Sequence, residues 1–171
     1  IADAIAGLIK VKSGKISLND KDITHTTVKE RIESGISYIP EDRQRFGLVL
    51  ELPLATNLAL KTYYKEPFSK KHVLQDDVFL EYSDKLIKQF DIRSGQGSST
   101  IVRSMSGGNQ QKAIIAREID LDSELLIFVQ PTRGLDIGAI QAVRERMIEE
   151  RDRGKAILLV SLELDEIMSC S

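Results

Sequence analysis

The chain has 171 residues, 42% apolar and 29% charged, enough for about one globular domain with a core and outside the compositional range of disorder. Lys and Arg number 24 against 26 Asp and Glu, so the net charge of −2 supplies no overall positive field for a nucleic-acid backbone. The single cysteine, Cys170, and two distant histidines, His25 and His72, exclude a disulfide scaffold and give no ligand spacing for structural zinc.

Strand-like and helix-like segments alternate, the pattern of an α/β fold. Residues 1–8 carry the small and apolar side chains of a helix end, and residues 14–18 read as a short strand before the turn at Asn19-Asp20. Thr27-Val28-Lys29-Glu30 forms a capping box, because the Thr27 hydroxyl and the Glu30 carboxylate can each satisfy an orphan backbone N–H, and Gly35 supplies the stop. Residues 36–39 are a strand ended by Pro40, followed by a charged loop at 42–46. Residues 54–89 show helical spacing broken by Pro67 and Lys70-Lys71-His72, which predicts a mostly helical subdomain reaching about residue 120. Tyr63, Tyr64, Phe68, Phe79 and Phe90 read as its core rather than as a base-stacking surface, and His25 and His72 as surface or cap residues.

A loop of small residues at 94–100 precedes Ser106-Gly107-Gly108-Asn109-Gln110-Gln111-Lys112, which opens a helix to about residue 119. An apolar run at 125–129, a turn-rich stretch at 131–138, a charged helix at 139–153 and a second apolar run at 156–160 follow. Unbroken apolar strands between helices predict a buried parallel sheet, and runs this short fall far below the roughly 18 residues of a membrane span. No leader pattern of charged then apolar residues opens the chain, so a cytosolic protein is expected. Ile1 and Ser171 both fall inside helical patterns, and the chain reads as a fragment trimmed at both ends.

Ser106-Gly107-Gly108 at a helix start has a physical use. Serine caps, the glycines let a phosphate approach the backbone, and the free helix-start amides favour negative charge. Alone it is a weak signal, read first as an ordinary cap with a glycine turn. It is not alone, because an apolar strand, the Pro131-Thr132-Arg133-Gly134-Leu135-Asp136 turn and another apolar strand follow in order.

That order resembles ATP-binding cassette (ABC) ATPases. Ser106 to Lys112 matches the signature motif in its GGNQQK form, 125–131 stands where the Walker B strand should be, and Gly134-Leu135-Asp136 resembles the D-loop. Leu158-Leu159-Val160-Ser161 resembles the strand leading into the switch position, and Tyr38-Ile39-Pro40-Glu41-Asp42-Arg43 a degenerate Q-loop with Glu41 in place of glutamine. GGNQQK, PTRGLD and PEDR together are similar to the second, C-terminal cassette of tandem ATPases serving simple-sugar and nucleoside importers. The resemblance implies a P-loop NTPase-like ABC ATPase fold over residues 1–171, with ATP and Mg²⁺ as the assembled transporter's reactants and a peripheral place on the cytoplasmic face of the cell membrane.

The departures bear on mechanism. No G-x-x-x-x-G-K-[ST] occurs, and by resemblance that phosphate loop should lie just before Ile1. The Walker B aspartate position holds Val129, which has no oxygen to support Mg²⁺, so no metal site is expected. The position of the catalytic carboxylate holds Gln130, an amide that can orient water but not accept its proton, and the switch histidine position holds Leu162. Val129 and Leu162 are therefore expected to be core packing.

Because ABC cassettes work as head-to-tail pairs, the resemblance implies that Ser106, Gly107, Gly108, Asn109 and Gln110 complete an ATP site in a partner cassette, the N-terminal half of the same polypeptide. Asp136 would support that site across the interface, while Glu41, Gln130 and Leu162 mark a non-hydrolytic site in this half. The implied partners are transmembrane permease subunits and, indirectly, an extracellular substrate-binding protein, with no nucleic acid. The neutral Val129-Gln130 pair favours nucleosides over sugars. Two rivals are a regulatory pseudo-ATPase scaffold and a soluble ABC protein acting on ribosomes or chromosomes; the second predicts a long charged helical insertion that is not seen in the sequence.

Overall fold

The structure is a computed structural model describing residues 1–71 and 73–171, so His72 lies outside the described residues. In chain order the elements are α1 (Ala2–Ala6), β1 (Ser17–Leu18), β2 (Lys21–Asp22), α2 (Val28–Glu33), β3 (Ile36–Ile39), α3 (Leu54–Leu58), β4 (Ser69–Lys70), β5 (Val73–Leu74) and α4 (Asp76–Gln89). They continue with α5 (Gly107–Asp120), β6 (Leu125–Val129), α6 (Ile137–Asp152), β7 (Ala156–Val160) and α7 (Leu164–Cys170). The chain divides into two compact units, one of Ile1–Glu41, Glu118–Pro131 and Arg144–Ser171, the other of Asp42–Arg117 and Thr132–Val143.

The first unit is built on a parallel sheet of order β3-β6-β7. Ile36 pairs with Leu125 and Ile39 with Phe128, while Leu125 pairs with Ala156 and Val129 with Val160. The three expected apolar strands therefore form with the expected bounds. β6 is central, and its Leu126, Ile127 and Phe128 are fully buried, each contributing about 1.5–3 kcal/mol of hydrophobic stabilisation. β7 corrects the expectation of a buried strand: among the described residues it borders β6 on one side only, and Ala156 and Val160 are exposed.

The capping box forms as read, with Thr27 Oγ1 accepting from the Glu30 N–H at 3.3 Å and Glu30 accepting from the Thr27 N–H at 2.7 Å. Gly35 stops α2 in the left-handed region, at φ 93°. The strand expected over 14–18 is shorter, and it closes a hairpin with β2 through Asn19 and Asp20, both left-handed. Arg31 went unremarked in the sequence, yet it is buried. Its guanidinium donates to the carbonyls of Ala4, of Ile5 at 2.8 Å and of Thr24 at 2.9 Å, and its Nε donates to Thr26 Oγ1 at 3.1 Å.

In the second unit, residues 42–46 are not a loop. Arg43–Gly47 is a π-helical turn, because the Asp42 carboxylate accepts from the Gln44 and Arg45 N–H groups at 3.1 and 3.0 Å. The helical subdomain holds α3 and α4 as read, but β4 and β5 form an antiparallel hairpin between them. Phe68, Phe79 and Phe90 are buried, with Phe68 edge-on to Phe79 and Tyr82 at centroid distances of 5.3 and 4.8 Å. Tyr63 and Tyr64 are corrections, since both are exposed and pack edge-on to one another. His25 is exposed, as read.

Candidate functional site

Ser106, Gly108 and Asn109, at the opening of α5, line one side of a cleft of about 410 Å³ in the second unit. Asp136, Gly138 and Ala139, at the opening of α6, line the other. Asp136 Oδ1 caps α6 by accepting from the Ala139 N–H at 2.9 Å. Two helix starts thus meet at close quarters. A Cβ on Gly108 would stand 3.2 Å from the Ala139 Cβ and 3.6 Å from Asp136 Oδ2, so any side chain there crowds the start of α6.

Ser106 Oγ accepts from the Asn109 side-chain amide at 2.9 Å and from the Asn109 N–H at 3.4 Å. Both acceptor lone pairs are engaged, which leaves the hydroxyl proton as the group to donate into the cleft. Asn109 spends its other amide atom within the chain, Oδ1 accepting from the Arg93 N–H at 2.8 Å. It braces Ser106 rather than offering free groups. Gln110, grouped by resemblance with nucleotide-facing residues, is 1% exposed; its Nε2 donates to the Val102 carbonyl and its Oε1 accepts from Gln44, each at 3.0 Å. Its amide is spent on these two partners, which hold it inside the second unit.

The cleft also holds an ion pair the sequence did not single out, Lys112 Nζ to Asp91 Oδ2 at 3.0 Å, with a second bond from Nζ to the Asp91 carbonyl at 2.7 Å. The hydrogen bond from Lys112 and its charge hold the Asp91 carboxyl below the usual carboxylate range. Arg43 is the other residue missed. Read as part of a solvated loop, it is only partly exposed and donates from Nη1 to the Arg133 carbonyl at 2.8 Å. The PEDR motif contains it, but an arginine of a charged turn carries no periodicity that would show its contact with residue 133.

Glu41, Gln130 and Leu162 belong to the first unit, where they stand just beyond the C-terminal ends of β3, β6 and β7, the edge at which parallel sheets hold ligands. The Gln130 N–H donates to the Val160 carbonyl at 2.8 Å, and its φ of 49° is left-handed. Val129 is partly buried and packs against the cluster of Ala2, Ile23, Ile36 and Ile127, at the margin of the core. Leu162 does not: it is 87% exposed, because the chain has left the sheet two residues earlier. Among the described residues no three of His, Cys, Asp and Glu gather to hold a metal ion. Near this edge Tyr38 donates its hydroxyl to Asp3 at 2.6 Å, and burial together with that bond raises its pKa.

Among the described residues no helix is long and apolar enough to cross a membrane. A family profile described as ABC transporter matches residues 1–133. Over 171 residues the chain is 51% identical to a nucleoside import ATP-binding protein, NupA, of Lactococcus lactis subsp. cremoris, covering 100% of this chain and 34% of that protein. It is 49% identical to a guanosine import ATP-binding protein, NupO, of Bacillus subtilis, covering 100% and 33%. Against a ribose import ATP-binding protein, RbsA, of Clostridium tetani the identity is 38%, with 100% and 34% covered. The chain therefore spans about a third of the length of these relatives. Among solved structures, a nucleotide-free ATP-binding cassette from an ABC transporter matches with TM-score 0.77 at 19% identity, over 98% of this chain and 66% of that one. A dimeric cassette in a post-hydrolysis state bound to ADP and Pi matches with TM-score 0.77 at 18% identity, over 98% and 71%. The fold is thus that of these cassettes, α/β with a parallel sheet.

Proposed function

This chain belongs to the ABC transporter family, and from that premise we propose that it is the second, degenerate cassette of the ATP-binding subunit of an importer. Its own ATP site is non-hydrolytic, and it lends its signature to the site of a complete cassette elsewhere in the same polypeptide. A chain spanning about a third of its relatives leaves room for such a partner. The substrate class is a nucleoside rather than a simple sugar. That choice is supported by 51% and 49% identity to proteins named for nucleoside and guanosine import, against 38% to one named for ribose.

The observation that carries the reading is the cleft between the starts of α5 and α6. There the Ser106 hydroxyl proton and the Asp136 Oδ2 have no described partner. Ser106 would donate to the terminal phosphate of ATP held by the partner cassette, and the first N–H groups of α5 would add their positive end. Asp136, fixed by its bond to the Ala139 N–H, would present its second oxygen to the partner's residues. Gln130 would orient a water without taking its proton, and neither Val129 nor Leu162 has a polar side-chain atom. Mg²⁺ neutralises phosphate charge when bound with ATP, and its ligands would come from the partner. The helical region near residues 54–90 docks on transmembrane permease subunits, which places the protein peripherally on the cytoplasmic face, with an extracellular substrate-binding protein as an indirect partner.

The test is the ATPase rate of the intact polypeptide carrying Gly108→Asp or Gln130→Ala. Gly108→Asp drives a carboxylate into the contact with Ala139 and should abolish turnover, while Gln130→Ala should leave it largely intact. Damage from Gln130→Ala alone would mean that this half positions its own water. Indifference to both would favour a regulatory scaffold.

A further inference from the structure

We propose that Arg43 is a positioning residue for the signature, fastening the start of α5 to the loop that carries Asp136; this rests on the signature-donation reading above. Arg43 stands in the π-helical turn capped by Asp42. Its Nη1 donates to the Arg133 carbonyl at 2.8 Å, three residues before Asp136. Its Nη2 lies over Gly107, where an added Cβ would meet it at 2.8 Å, and a Cβ on Gly134 would be 3.8 Å from it. One planar side chain therefore touches both segments that build the cleft. Next to it, Gln44 Nε2 donates to Gln110 Oε1 at 3.0 Å, so consecutive residues of one turn grip the first turn of α5.

Stability alone does not account for an arginine here. Its Nε is buried with no hydrogen-bond partner, a cost that native structures avoid. Its positive charge also sits at the positive end of a 14-residue helix, where the dipole disfavours cations. No carboxylate among the described residues forms an ion pair that relieves it. What the residue does accomplish is geometric, because the guanidinium fork spans two contacts that the single ammonium of lysine cannot make together. A side chain at residue 107 would have to displace the Arg43 guanidinium.

Steady-state ATPase kinetics and thermal unfolding of the intact polypeptide, with Arg43→Ala, Arg43→Lys, Gly107→Ala and the Arg43→Ala/Gly107→Ala double variant, test this. Arg43→Ala should raise KM for ATP and lower kcat, with a loss in kcat/KM of roughly ten-fold, the order expected for one charge-assisted hydrogen bond. Its thermal midpoint should stay within about 2 °C of the parent, because the unpaired Nε leaves with the side chain. Arg43→Lys should recover only part of the loss. Gly107→Ala displaces the guanidinium, so the double variant should be no worse than the more affected single. An unchanged KM, with kcat falling only as the folded fraction falls, would reduce Arg43 to a structural role and overturn the proposal, as would additive losses in the double variant. Gly108→Asp separates the two levels. If it abolishes turnover while Arg43→Ala is silent, only the role of Arg43 falls; if it leaves turnover intact, signature donation and the role of Arg43 fall together.

Discussion

Replacing Arg31 by methionine should destabilise the first unit by about 3 kcal/mol. The buried guanidinium joins the end of α1, the exit of the β1-β2 hairpin and the entry to α2. Methionine keeps most of the volume but donates nothing. The Ala4 carbonyl still accepts from the Gly7 N–H at 3.3 Å, so the loss falls on the Ile5 and Thr24 carbonyls and the Thr26 hydroxyl. Each acceptor left without its donor costs about 1 kcal/mol. For a chain of this size that corresponds to a fall in Tm of about 6–12 °C, read by circular dichroism on heating and checked by the urea midpoint. Arg31→Lys, able to reach one or two of these acceptors, should recover about half. A fall smaller than about 2 °C for Arg31→Met would show that the three segments hold together without the guanidinium.

Thr27→Ala removes the cap of α2 and should cost about 1 kcal/mol, measurable by urea unfolding. Hydrogen bonds from the Thr27 N–H and hydroxyl hold the Glu30 carboxyl below its usual range. Its contribution is therefore complete above the unfolded carboxyl value of about 4.3 and is lost as pH falls through the lower folded value. Glu30→Gln should flatten the acid limb of the stability curve below about pH 4, and an unchanged acid limb would remove the box from the account. Leu162→Ser should alter stability by less than about 0.5 kcal/mol, as suits a residue 87% exposed, whereas a core leucine would lose several.

The parallel sheet was legible because β3, β6 and β7 are apolar runs with sharp boundaries: Gly35 and Pro40 bracket the first, and polar or turn residues the others. α2 was legible because capping is local chemistry. The first strand and turn of the β1-β2 hairpin were read, but β2 and the β4-β5 hairpin were not, since two-residue ladders are too short to show a period of two. The π-helical turn was hidden because Asp42 marks a loop and caps a turn with the same carboxylate. At the cleft, the motif found the backbone and Ser106 but could not show that Gln110 faces inward or that Arg43 lies on Gly107. Both depend on long-range packing. Leu162 failed for the opposite reason, because an apolar side chain after a strand is buried only if the chain stays with the sheet.

Gln130 adopts a left-handed φ of 49° immediately after β6, and Val129 before it packs, partly buried, against the core cluster. On the proposed reading these are the two positions where carboxylates have been given up, and each is a single base substitution away from regaining one. Their barriers to reversal differ. Glutamate matches glutamine in shape and would take the same backbone, so residue 130 can regain its acid with no change in fold. Aspartate at 129 would have to bring a charge into an apolar cluster. On that reading, restoring a carboxylate is open at residue 130 and opposed by packing at residue 129, so the two substitutions differ in cost although they are neighbours in sequence.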